Sequence, residues 1–501
     1  MASSSSSVPT TTTTTFFVVV ILLLFHFCLT NSEFMFFPLS NSMSTTQYNS
    51  THHLLKSTAV RSSARFQQQR QQQQQVSLPL APGSDYTISL SLGSNPAQTI
   101  SLYMDTGSDV VWLPCHPFEC ILCEGKYNPS SISNAAPLNL SSASPVSCKS
   151  TACSAVHSSI TSTSDLCAMA KCPLELIETS DCDPFSCPQF YYAYGDGSLI
   201  ARLYTDGLTI PMSSPSLVLQ NFTFGCAHEA LGEPIGVAGF GNGLLSLPAQ
   251  LANFSPQLGD QFSYCLVSHS FDADQIRRPS PLILGHDKRA VKSNSNGDEF
   301  VYTPMLDNPK YGHFYSVGLE AISVGKRRIP APENLKVVDK QGNGGMVVDS
   351  GTTFTILPSK LYNAVAIEFT HAVGRVHKRA SRIEDRTGLS PCYYFDNPTA
   401  VQIPVLTLHF MGSNKSGVVL PKINYLYVFL DGGDDGKRKR KVGCLMLMNG
   451  GDGDDEDEGG PVGTLGNYQQ QGFEVVYDLK KRRVGFARRE CSSLWDSLHQ
   501  N

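Results

Sequence analysis

An all-β chain built as two similar lobes is the fold class this sequence predicts, and three observations predict it. An apolar, strand-like run feeds a carboxylate into a glycine turn at Tyr103-Met104-Asp105-Thr106-Gly107-Ser108, and the pattern returns at Val347-Val348-Asp349-Ser350-Gly351-Thr352. Leu113-Pro114 follows the first Asp at offsets that Leu357-Pro358 repeats after the second. Between and around these repeats, short runs alternate apolar with polar residues, and helical periodicity is scarce. Two related halves that each offer one acid imply a site where the halves meet and a chemistry that needs a carboxylate pair.

Taken from the amino end, residues 1–32 read as a cleaved signal peptide. The apolar core at residues 16–25 is too short to span a bilayer comfortably, and small residues occur near Thr30 to Ser32. Residues 33–80 are rich in Ser, Thr and Gln and read as a propeptide or disordered leader with little to build a core. Arg61, Arg65 and Arg70 offer cleavage points, which places a processed start between about 71 and 85.

The N-terminal lobe is assigned to residues 81–280. It opens on Tyr86-Thr-Ile-Ser-Leu-Ser-Leu, turns at Gly-Ser-Asn-Pro, and returns through Gln98-Thr-Ile-Ser-Leu-Tyr-Met into Asp105. A cysteine-rich insertion occupies 113–190. The C-terminal lobe, 281–501, begins past a charged and polar stretch and repeats the plan, with Phe314 to Val324 leading toward Met346-Val-Val and Asp349. Ser359 to Ala372 carries the best helical pattern. The basic run Lys437 to Lys441 and the six acidic residues within Asn449 to Gly460 read as solvated loop tips. No later run is apolar enough for a membrane span, and the polar ending Ser497-Leu498-His499-Gln500-Asn501 excludes a GPI tail.

With 501 residues and a net charge of −5, the chain can bury a sizeable core and lacks the positive balance of a nucleic-acid binder. Cys28 leaves with the signal, so 14 of the 15 cysteines remain, an even number that suits a disulfide framework in an oxidising compartment. Cys115, Cys120, Cys123, Cys148, Cys153, Cys167, Cys172, Cys182 and Cys187 fall in one window, and an odd set cannot pair within itself. One must reach outside, and Cys226 is nearest. Cys120-x-x-Cys123 has no second such pair, and the 13 histidines show no ligand spacing, so neither metal nor cofactor is expected. Sequons at Asn139, Asn221, Asn253 and Asn414 would be glycosylated on surface loops.

Two carboxylates held within a few ångströms cannot both ionise cheaply, so they share a proton and titrate as a unit. One can then draw a proton from a trapped water while the other protonates an amide carbonyl. On these residues the chain resembles a pepsin-type aspartic endopeptidase, and it is most similar to the secreted plant branch that includes nepenthesins. Tyr194-Gly195-Asp196-Gly197-Ser198 resembles the flap hairpin of that family, with Trp112 as the partner of Tyr194. Val237-Ala238-Gly239 with Phe240-Gly241, and Thr464-Leu465-Gly466 with Asn467, resemble the segments that complete the loop around each acid.

The resemblance implies a bilobal fold of two pseudo-symmetric, β-barrel-like lobes with the cleft between them. It implies Asp105 and Asp349 as catalytic residues, and Tyr194, Trp112, Gly107, Gly351, Ser108 and Thr352 as substrate-binding ones. It implies disulfides Cys115–Cys120, Cys123–Cys226, Cys148–Cys187, Cys265–Cys491 and Cys392–Cys444, with Cys153, Cys167, Cys172 and Cys182 unassigned. The expected protein is a monomeric enzyme that acts on polypeptides at acidic pH and is free of the membrane once its signal is cut. Its destination is the extracellular space or cell wall, with the vacuole as the alternative. The rival reading is a catalytically inactive binding or inhibitor protein on the same fold, which would be expected to lack one Asp or the flap Tyr; Asp105, Asp349 and Tyr194 are all present.

Overall fold

In the computed structural model the described residues are 34–41, 51–70 and 86–499, less 94–96, 124–136, 158–162, 180–181, 195–196, 211–216, 233–234, 269–278, 286–299, 396–402, 414–416, 433–438 and 452–459. The signal stretch, Asn414 and the charged centres of both loop tips therefore lie outside the described residues.

The alternating runs become strands where the sequence places them. Tyr86–Leu92 and Gln98–Asp105 form an antiparallel hairpin in the register Thr87↔Tyr103 to Leu92↔Gln98, which turns Ile88, Leu90, Ile100 and Leu102 into the core. In the other lobe Met346–Val348 carries the chain into Asp349, and the predicted helix spans Ser359–Val373. Its buried residues Leu361, Tyr362, Val365, Phe369 and Val373 recur three to four apart, so one face packs inward. Pro358 holds the entry in extended backbone and Gly374 follows the exit.

A six-stranded antiparallel sheet joins the lobes. Gln261–Cys265 from the first half pairs with Phe473–Asp478 from the second, and Ser280–Gly285, Arg483–Arg488 and Val301–Leu306 extend the sheet on either side. Phe262 stacks on Tyr477 with ring centroids 4.5 Å apart, so aromatic side chains from both halves meet at the seam between lobes.

The outermost strand of this sheet comes from the leader. Phe34–Asn41 pairs with Ser280–Gly285 and continues onto Tyr86 and Thr87, and the helix Thr51–Arg70 lays Leu54, Leu55 and Ala59 into a cluster with Phe354, Ile356, Tyr427 and Phe429. The expectation of a segment with little to offer a core is thereby corrected. Its few apolar residues are spaced for one strand face and one helix stripe, which a composition average dilutes.

The insertion differs from expectation in two ways. It contains three short helices, Thr151–Val156, Thr163–Met169 and Leu174–Thr179, too brief to show a periodic signal. Three of the implied pairings are also replaced: the bonds are Cys115–Cys226, Cys120–Cys123, Cys148–Cys182, Cys153–Cys187 and Cys167–Cys172. Trp112–Ile121 runs parallel to Leu217–Leu231 with Leu113 opposite Cys226, so Cys115 reaches across the ladder and Cys123 does not. Beyond Ile121 the chain reverses through Leu122 at φ 56°, which returns Cys123 to Cys120. Cys187 N–H donates to Val146 O, so Cys187 lies opposite Val146 rather than Cys148, and the helix at 151–156 presents Cys153 to it. In the second half the structure bonds Cys265 to Cys491 and Cys392 to Cys444. Peptide mapping without reduction is expected to recover one peptide pair joining Cys115 to Cys226; a Cys115–Cys120 product would contradict this topology.

Candidate active site

Each acid sits where a strand end meets a parallel neighbour. Asp105 closes Gln98–Asp105 opposite Gly239, and Asp349 follows Val348, which lies opposite Leu465. Phe240 N–H donates to Asp105 O at 2.7 Å, and Asp349 N–H donates to Leu465 O at 3.1 Å. A Cβ on Gly239 would meet Asp109 backbone at 2.5 Å, and one on Gly466 would meet Thr353 and Phe354 backbone at 2.5 Å, so only glycine lets these chains cross.

The two turns are locked to one another. Thr106 N–H donates to Ser350 Oγ at 3.0 Å, and Ser350 N–H donates to Thr106 Oγ1 at 2.9 Å. Each hydroxyl then donates onward into the opposite lobe, Thr106 to Val348 O at 3.0 Å and Ser350 to Met104 O at 3.1 Å. These hydroxyls donate once and accept once across the lobe boundary.

Above this lock, Gly107 N–H donates to Asp105 Oδ1 at 2.8 Å and Gly351 N–H to Asp349 Oδ1 at 2.7 Å. A Cβ built on Gly107 would stand 2.7 Å from Cγ and both oxygens of Asp349, which shows how closely the second carboxyl lies over the first turn. Both acids are buried. Thr352 Oγ1 donates to Asp349 Oδ2 at 2.5 Å, whereas the corresponding Ser108 Oγ is buried without a partner among the described residues.

The hairpin expected to act as the flap is formed by Phe190–Tyr194 and Gly197–Ile210, with Tyr194 opposite Gly197. The indole N–H of fully buried Trp112 donates to the Tyr194 hydroxyl at 2.5 Å. Asn139, Asn221 and Asn253 are exposed on the surface.

Several residues that shape this site escaped the sequence reading. Tyr477 donates its hydroxyl toward Val348 O at 3.3 Å and lies 3.5 Å from Thr106 Oγ1, while Tyr264 stands 2.9 Å away and donates to Gln470 Oε1. Gln470 in turn donates to Asp349 O and Leu465 O. Burial pushes both phenols up, so this chain of hydroxyls stays neutral beneath the lock. His313 lies near enough to Asp105 to feel its charge; burial nevertheless pulls the imidazole down to about 4. Asp109 accepts from Gly243 N–H at 2.7 Å, and burial outweighs that bond to raise its carboxyl to about 6. Asp109 had a visible cue in its place four residues past Asp105; Tyr264 and Tyr477 had none, being ordinary members of alternating strands.

The only triad of possible metal ligands found among the described residues is Cys153, His157 and Cys187, and its two sulfurs are bonded to one another.

Comparison with known proteins agrees with this arrangement. A family model described as xylanase inhibitor N-terminal matches residues 86–286, and one described as xylanase inhibitor C-terminal matches 314–488. The chain is 60% identical to a probable aspartyl protease of Arabidopsis thaliana, over 84% of this chain and 85% of that one. It is 32% identical to aspartic proteinase nepenthesin-2 of Nepenthes gracilis, over 82% and 78%. In fold it is similar to basic 7S globulin from soybean (TM-score 0.59, 18% identity, 92% and 99% covered) and to the aspartic proteinase of Irpex lacteus (TM-score 0.52, 15% identity, 92% and 98% covered). The class defined by fold and relatives is the aspartic endopeptidase, a hydrolase. More narrowly, the chain belongs to the pepsin-like aspartic protease family, in its nepenthesin-like plant branch.

Two outcomes are expected from this geometry. Thr106→Val leaves Ser350 N–H without its acceptor and Val348 O without the Thr106 hydroxyl, and should cost about 2–4 kcal/mol in urea unfolding. Asp109 has a folded-state pKa above its unfolded one, so its contribution is full below about 4 and is lost as pH rises through about 6. Asp109→Asn should therefore shrink the stability advantage of pH 4 over pH 7.5 by about 1–3 kcal/mol, a half-buried group being partly screened by solvent. An unchanged pH dependence would count against this reading of Asp109.

Proposed function

We propose that this protein is a secreted endopeptidase that cleaves peptide bonds at acidic pH through Asp105 and Asp349. An extended polypeptide lies across the cleft beneath the flap, with Tyr194 along one wall, held from behind by the buried Trp112 rather than joined by it at the substrate as the family resemblance implied, and with the turns Gly107-Ser108 and Gly351-Thr352 beneath the scissile bond. A water held between the carboxyl groups loses a proton to one of them as it attacks the carbonyl carbon. The other gives its proton to the carbonyl oxygen, and the resulting tetrahedral species collapses with protonation of the leaving nitrogen. No covalent bond to the protein forms. The observation that carries this reading is the placement of the Asp349 carboxyl against Gly107, two residues from Asp105.

Secretion is supported by the apolar run at residues 16–25 and by fourteen cysteines joined in seven disulfides. The extracellular space or cell wall is the proposed destination, and the vacuole shares the required chemistry. Among the described residues no helix is long and apolar enough to cross a membrane.

The description of the matching family models as xylanase inhibitor favours one rival, a protein that binds without cleaving. One experiment separates the two. Asp105→Asn should lower kcat/KM on a denatured protein substrate by about 10³-fold or more while leaving the circular dichroism unchanged. The wild type should be most active below about pH 5, inhibited by a statine-type peptide and insensitive to chelators. A folded wild type without cleavage at any pH from 3 to 7 would favour the binding protein instead.

A further inference from the structure

We propose that His313 is a specificity-determining residue of the cleft, whose ring meets the bound polypeptide beside Asp105 and selects for an anionic side chain near the scissile bond. This substrate preference rests on the peptidase reading given above, and it belongs to a residue that the repeated acid turns do not include.

Position is fixed by the backbone. His313 belongs to the second half of the chain, yet it is fastened to the loop that closes around the acid of the first half. Asn242 N–H donates to His313 O at 2.8 Å, and Asn242 Nδ2 donates to Gly312 O at 3.1 Å. In the same loop Gly241 N–H donates to Ser108 O at 2.8 Å. A Cβ on Gly241 would stand 2.8 Å from Ser108 O and 2.9 Å from His313 O, so a single layer of backbone separates the histidine from the turn that carries Asp105. The lobe boundary therefore holds His313 level with a turn that underlies the scissile bond.

The ring is backed on one side and open in its hydrogen bonding. It lies against Phe314 with centroids 4.1 Å apart, and Phe314 packs in turn with Tyr311 and Val347. It is half-buried, while the neighbouring Gly312 and the facing Asn242 are exposed. Among the described residues the imidazole nitrogens have no hydrogen-bond or ion-pair partner. A half-desolvated ring with both nitrogens uncommitted is suited to a group that arrives with the substrate.

Its charge changes in the acidic range. Burial pulls the imidazole down to about 4, against the upward pull of the Asp105 charge. Asp105 is the titratable group that reaches it from the acid turn. The facing loop from Phe240 to Gly243 carries none of its own, although Asp109 bonds to its Gly243 N–H. On the histidine's own segment Lys310 lies over the Tyr311 ring at 5.1 Å. Acidification thus turns His313 into a cation, and an anion bound against it favours that form further. The preference grows as pH falls.

The test uses peptides with cysteate, which stays anionic throughout, or asparagine at each of the three positions on either side of the scissile bond. The ratio of kcat/KM for cysteate over asparagine is measured at pH 3.0 and 5.5 for the wild type, His313→Phe and His313→Arg. At one position the wild-type ratio should exceed that of His313→Phe by about fivefold or more at pH 3.0 and by less than about twofold at pH 5.5. His313→Arg should raise the ratio at both. Comparing variants at one pH cancels the charge of the Asp105 and Asp349 pair, which all three share. Statine-type peptides of the same sequences, titrated by calorimetry, read the contact without turnover. Equal ratios for the wild type and His313→Phe at every position, in variants with unchanged circular dichroism, overturn the proposal. A wild type that shows the preference in binding but cleaves nothing sinks the proposed function instead and supports the contact at His313.

Discussion

The reciprocal hydrogen bonding of Thr106 and Ser350 is the constraint on which the rest of the site depends. Each hydroxyl serves a backbone amide of the other lobe and passes its own proton to a carbonyl across the boundary. Four bonds made by two short side chains leave the turns almost no freedom to slide or separate. Buried and away from water, none can be broken without leaving an unsatisfied group, so the lock is stiff as well as specific. The carboxyl groups inherit their positions from it, since each acid immediately precedes a locking residue.

Support for the lock comes from below. The interlobe sheet places Tyr264 and Tyr477 on adjacent strands of opposite halves, and their hydroxyls bridge toward Thr106, Val348 and Gln470. The phenols are kept neutral by burial, which makes this network a source of directed hydrogen bonds rather than of charge. On the cleft side the glycines do the complementary job: Gly239 and Gly466 admit a crossing backbone, and Gly107 admits a carboxyl. The hairpin carrying Tyr194, the insertion and the helix Ser359–Val373 attach to this centre from outside, with disulfides holding together the insertion, which has few regular strands.

The leader illustrates how composition misleads when a few residues matter. Between 33 and 80 the average is polar, yet Phe37, Leu39, Leu54, Leu55 and Ala59 are buried. A polar stripe facing solvent and an apolar stripe facing protein average to an unremarkable segment. The contacts it makes depend on Ser280–Gly285 and on Phe429, hundreds of residues away, and no local pattern announces them.

By itself the sequence determined the repeated acid turns, the hairpin that delivers Asp105 and the helix after Asp349. All of these rest on local rules: a period of two for strands, apolar residues three to four apart for the helix, and glycine where a chain must turn or cross tightly. Tertiary structure alone decided the pairing of Cys115 with Cys226, the hydroxyl chain beneath the lock, the lowering of the His313 imidazole by burial near Asp105, and the place of the leader in both cores. Those depend on which strands become neighbours and on how far burial shifts a proton, and both are properties of distance through space rather than distance along the chain.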